Sequence, residues 1–132
     1  MLPTAQARLY QRQSILTASP GQLVVMLYDG ALRFMALARE NFKLPATDHH
    51  RIEHIHNALL RAQAILRELQ ATLNHDAGGE VAANLDRLYD YHIRRLDEAN
   101  RRKDEAPIIE VEHLVGQLRD AWAEMLRNNF SF

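Results

Sequence analysis

The chain has 132 residues, enough for one domain that buries most of a single core. Apolar residues make up 47% and charged residues 25%, and the formal net charge is −1, so no whole-protein basic field exists to recruit nucleic acid or an anionic membrane. No cysteine is present, which excludes disulfides, zinc fingers and thiol catalysis and agrees with a reducing compartment; the polar stretch Met1 to Ser14 lacks the apolar centre of a secretory signal, and no apolar run approaches the ~20 residues of a membrane span. A cytosolic protein is expected.

Residues 1–18 form a separate segment carrying Leu9, Tyr10, Ile15 and Leu16. It is too short to be a stable helix alone, so it is expected to serve as a mobile cap on whatever follows. Ser19-Pro20-Gly21-Gln22 reads as a helix start, with serine as cap, proline in the first turn and glutamine closing a capping box. The first helix is expected over 19–43, with Leu23, Leu27, Gly30, Phe34 and Leu37 at helical spacing.

Pro45 breaks that pattern, and Thr47 or Asp48 can cap a second helix over 48–74. Its single stripe of Ile52, Ile55, Leu59, Ala62, Leu66, Leu69 and Leu73 alternates three and four, the seam of helices packed at a shallow angle. Asn74 to Gly79 is a turn. The third helix, 79–103, shows Val81, Leu85, Leu88, His92, Leu96 and Ala99 inside, while Asp90, Asp97 and Glu98 each stand four residues before an arginine outside. Asp104 can cap the fourth helix, 105–127, whose apolar face is Ile108, Val111, Leu114, Val115, Leu118, Trp122 and Met125; 128–132 reads as a tail. Short connections make sequential helices antiparallel. The expected fold is therefore all-α, one domain over 1–132, an up-down-up-down four-helix bundle with the N-terminal segment packed on it as a cap.

A bundle helix needs one apolar stripe, and the first helix has two, because Val24, Tyr28, Ala31, Met35, Ala38 and Phe42 run beside the first. The third adds Ala82, Tyr89 and Ile93, the fourth Ile109 and Leu126. Ordinary core, cover for the N-terminal segment, and a groove for a partner segment are all open readings of this surplus. If it is a groove, Val24, Tyr28, Met35, Tyr89, His92, Ile93 and Leu96 are expected to line it.

Two enzymatic alternatives were weighed. Glu53-x-x-His56 and Glu110-x-x-His113, with Glu40 and Glu98, echo the ligand set of a di-iron-like helical bundle. Glu110 and His113, however, share an outward stripe with Gln117, Asp120 and Glu124, so such ligands would not converge. His92 beside Arg94 and Arg95 could suit histidine phosphotransfer, but a lone histidine among Leu88, Tyr89 and Leu96 fits packing better. His50 and His54 are four apart and best read as a polar first turn rather than a metal site. No catalytic residue, metal or cofactor is expected.

Several stretches carry a likeness to a known family: Leu16-Thr17-Ala18-Ser19-Pro20, Met26-Leu27-Tyr28-Asp29-Gly30-Ala31, Gly78-Gly79-Glu80-Val81-Ala82 with Asn84-Leu85, Leu88-Tyr89-Asp90-Tyr91 with Arg94-Arg95-Leu96, and Asp120-Ala121-Trp122. In their order and spacing the chain resembles the flagellar secretion chaperone FliS family over nearly its full length. The resemblance implies a cytosolic helical bundle, without cofactor or chemistry, that binds the C-terminal helical region of flagellin, prevents its premature polymerisation and presents it to the flagellar type III export gate. It also implies that Tyr10 and Ile15 belong to a segment able to lie over the client-binding surface. It leaves a homodimer open. The sequence departs from the family at His92, where many relatives carry an apolar residue such as methionine, and over Leu44 to Arg51.

Overall fold

Three of the four helices begin where an unpaired backbone donor finds a side-chain acceptor. A computed structural model describes residues 19–130, which form α1 (Pro20–Phe42), α2 (Arg51–Ala71), α3 (His75–Arg102) and α4 (Ala106–Phe130). The proposed cap, with Tyr10 and Ile15, lies outside the described residues. Ser19 closes the expected capping box on α1: its Oγ accepts from Gln22 N at 3.2 Å, and its own N–H donates to Gln22 Oε1 at 2.8 Å.

Helix boundaries shift from the sequence expectation for identifiable reasons. α2 starts at Arg51 rather than 48, because Asp48 accepts from His50 N at 2.8 Å and donates its own N–H to Pro45 O at 2.9 Å, closing a turn instead. α3 starts at His75, four residues early, because Asn74 Oδ1 accepts from Ala77 N at 3.0 Å. Its first turn is then interrupted at Gly79, which takes φ 50° and ψ −124°, a conformation that side chains resist. Lys103 ends α3 in the left-handed region at φ 49°, its ammonium reaching back to the carbonyl and side chain of Asn100. α4 is capped by Asp104, which accepts from Ala106 N at 3.0 Å, and continues to Phe130, so the expected tail is helical through 130.

The helices form a ring: α1 packs on α2 and α4, and α3 packs on α2 and α4. Cross-helix contacts pair Asn41 with His54, Gln63 with Ile93, Arg95 with Glu110 and Arg39 with Glu105, so every neighbour runs antiparallel. The all-α, up-down-up-down bundle is thus present as expected. Its core is one cluster that includes Tyr28, Met35, Ile55, Leu59, Leu66, Tyr89, Leu96, Ile108 and Val115. The α2 stripe is buried from Ile55 to Leu69.

α1 is, by length and composition, apolar enough to cross a membrane. Its inner stripe instead lies in the core, and two of its charges are paired: Asp29 accepts from Arg119 at 2.8 Å, and Arg39 donates to Glu105 and Glu112 at 3.0 Å each.

Candidate binding site

At one end of the ring the start of α1, the end of α2, the start of α3 and the end of α4 surround an apolar mouth. The cavity is about 350 Å³ and is lined by Val24, Leu73, Val81, Leu85, Tyr89 and Trp122, among others. The helices splay there for local reasons. Gly79 breaks the first turn of α3, and Val81, just past it, is left 68% exposed. Full burial in α4 stops at Val115; Leu118 and Trp122 are half-buried and Met125 is exposed.

The floor of the mouth is polar. The hydroxyls of Tyr28 and Tyr89 hydrogen-bond across the core, joining α1 to the diagonal helix α3. Burial pushes the Tyr28 phenol up and pushes Tyr89 higher still, so both stay protonated at any physiological pH.

A second groove of about 660 Å³ runs along α1 and α2, lined by Leu23, Met26, Leu27, Gly30 and Ile65, with Asp29, Arg33 and Glu68 also on its walls. Thr72 borders both cavities. A methyl on Gly30 would sit 3.2 Å from Ile65 Cδ1, so glycine lets α1 and α2 approach closely at this point. Together the cavities give the first half of α1 apolar surface on two sides.

The residues expected to line a groove lie mostly beneath it. Val24 is half-buried and borders the mouth; Tyr28 and Tyr89 form its floor. Met35, His92 and Leu96 are fully enclosed in the core, and Ile93 is half-buried with its carbonyl accepting from Gln63 Nε2 at 2.9 Å. The expectation is revised accordingly: the second stripe of α1 is its core stripe, with Tyr28, Ala31, Met35 and Ala38 fully buried. The first stripe is the outer one, for Leu37 is 49% exposed and Leu23 also stands open. Leu23, Met26, Val81 and Trp122 are the site residues that sequence reasoning missed. Leu23, Val81 and Trp122 belong to apolar stripes, and spacing alone does not separate a stripe's buried stretch from its open end; Met26 lies on neither stripe of α1.

The enzymatic alternatives gain nothing from this arrangement. Glu110 accepts from Tyr91 Oη at 2.9 Å and from Arg95 at 2.7 Å, which holds its carboxyl below the usual range; Glu98 is paired with Arg95 and Arg102. Among the described residues no group of three or more His, Asp or Glu stands close enough to hold a metal ion. His50 and His54 stack ring on ring at 5.6 Å, and His54 also bonds Asn41. His92 has no exposed surface from which to exchange a phosphoryl group.

The model of the family described as flagellar protein FliS matches residues 2–129. The chain belongs to the FliS family. It is 39% identical over 119 residues to the flagellar secretion chaperone FliS of Bacillus subtilis, covering 90% of this chain and 84% of that protein. It is 40% identical over 122 residues to the flagellar secretion chaperone FliS of Salmonella typhimurium, covering 92% and 87%. The relative of the same name from Campylobacter jejuni is 39% identical over 110 residues, covering 83% and 82%. A FliS chain is a flagellar secretion chaperone by family, which calls for a surface that receives a flagellar protein. In this member the mouth and the adjoining groove are the apolar openings that suit the task.

Proposed function

We propose that this chain is a cytosolic export chaperone for flagellin, binding its C-terminal helical region, preventing premature polymerisation and handing it to the flagellar type III export gate. The observation that carries the reading is the apolar mouth, with Val81 exposed and Trp122 at its edge, on a chain of the FliS family. Helices that assemble through apolar faces are kept apart by a competitor offering a similar face. Burying one exposed valine is worth about 1.5–3 kcal/mol, whereas ordering a disordered client costs about 2–5 kcal/mol. One pocket therefore does not suffice, and a client that also follows the α1–α2 groove gains the necessary area. The seven groove residues first proposed then divide into Val24, which the client touches, and a buried set that holds the floor in place.

Trp122 is the only tryptophan of the chain, so its fluorescence reports on the mouth. Titration with a tryptophan-free peptide from the flagellin C-terminus should shift that emission and give a complex on size-exclusion chromatography. Full-length flagellin should co-elute, and flagellin lacking its C-terminal helices should not. No spectral change, no heat and no complex at high concentration would sink the assignment.

A further inference from the structure

We propose that His92 is an acid sensor built into the seam between α3 and α4, whose protonation loosens the bundle below the mouth. The imidazole is fully enclosed, and neither ring nitrogen has a hydrogen-bond partner among the described residues. The rings of Tyr89 and Tyr91 stand 6.4 and 6.1 Å away, so its surroundings are aromatic rather than polar. A neutral imidazole tolerates such a place; an imidazolium there loses more by burial than the nearby Glu110 carboxylate returns.

The groups facing it confirm that none is free to serve. α4 contributes Glu110, whose oxygens already accept from Tyr91 and Arg95. α3 itself contributes the phenols of Tyr89 and Tyr91 and the cation of Arg95. α2 faces the same stretch with the amide of Gln63, which is neutral and donates to Ile93 O. α1 contributes the phenol of Tyr28, which bonds the Tyr89 hydroxyl. To take a proton, His92 has to reach water or displace a partner of Glu110, and either motion parts α3 from α4. Because Tyr89 lies between His92 and Tyr28, that motion also disturbs the floor of the mouth.

The direction follows from burial, which holds the imidazole below its ordinary value of 6.5. Below that value the unfolded chain binds a proton that the folded chain refuses. Stability is therefore full above the unfolded value and falls as pH drops through 6.5 toward the folded one. The device concerns the bundle alone and stands whether or not flagellin is the client.

Denaturant unfolding of the full chain from pH 8 to pH 5 tests it, for wild type and for His92→Met, which keeps the bulk and removes the proton site. The wild-type unfolding constant should rise by up to about 30-fold more than the variant's over this range. Equal slopes overturn the proposal, since the two proteins differ only at this residue. Should His92→Met fail to fold, the imidazole proton resonances of the wild type decide. The His92 ring should stay neutral below pH 6.5, and a His92 that titrates at or above that ordinary value overturns the proposal.

Discussion

The two ends of the bundle are sealed to different extents. At the closed end every adjacent pair of helices shares a polar cross-link: Asn41 with His54 for α1 and α2, His56 with Asn100 for α2 and α3, Arg95 with Glu110 for α3 and α4, and Arg39 with Glu105 and Glu112 for α4 and α1. At the mouth Gln70 still ties α2 to Asp86 and Asp90 of α3, and Arg119 ties α4 to Asp29 of α1, but Val81 and Met125 are exposed and Trp122 is half-buried. Directional bonds fix helix order and register, so they belong where nothing has to move. Apolar contact is indifferent to the identity of its partner, so it belongs where a second polypeptide enters. One end is cross-linked between every adjacent pair of helices, and the other leaves apolar side chains open.

The sharpest way to break this division is to cut each end in turn. Ile55 is fully buried toward the closed end, and Ile55→Ala should cost about 2–5 kcal/mol in denaturant unfolding through lost transfer energy and the cavity left behind. Val81→Asp should change stability by no more than about 0.5 kcal/mol, because the side chain already stands in water. The same change should weaken binding of the flagellin peptide about tenfold or more, as a valine that the client buries becomes a charge. If Val81→Asp unfolded the bundle, or left the Trp122 titration unmoved, the mouth would be core rather than recognition surface.

A smaller effect is expected at the boundary between the two regions, the floor made by Tyr28 and Tyr89. Tyr28→Phe removes one partner of a buried pair and leaves the Tyr89 hydroxyl without it, at a cost of about 1–3 kcal/mol. Removing both hydroxyls should restore part of that loss, because no orphan then remains. A double-mutant cycle measures the coupling, and purely additive losses would mean that the hydroxyls do not act as a pair.

Sequence reasoning recovered the architecture because the α2 stripe is unambiguous and the caps at Ser19 and Asp104 are chemical signals with fixed offsets. It left open which stripe of α1 forms the core, for a physical reason. Leucines weigh heavily in any hydropathy pattern, yet Ala31, Met35 and Ala38 are buried while Leu23 and Leu37 are open. Small residues let helices approach closely, and that value lies in distance rather than hydropathy. The mouth was legible only in part. Val24, Tyr28 and Tyr89 stood out as surplus, whereas the openness of Val81 depends on the kink at Gly79, which stripe spacing does not register. The polar ring at the closed end was invisible, since His56 with Asn100 and Arg39 with Glu112 are far apart in the chain and meet only once the helices are placed.

The smallest expected effect tests that polar ring itself. Arg39 bridges Glu105 and Glu112, and both carboxylates raise its already high pKa further, so it is charged at any working pH. The pairs are more than a third exposed on the arginine side, and water screens them. Arg39→Ala should therefore lower the midpoint of unfolding less than Tyr28→Phe does. The difference from wild type should shrink toward zero at about 1 M salt, where the screening length falls to about 3 Å. An Arg39 effect that persisted in high salt would mean that its aliphatic stem, packed between α1 and α4, matters more than its charge. Register at the closed end would then rest on packing, like the rest of the core, and the contrast between the two ends would reduce to one of exposure.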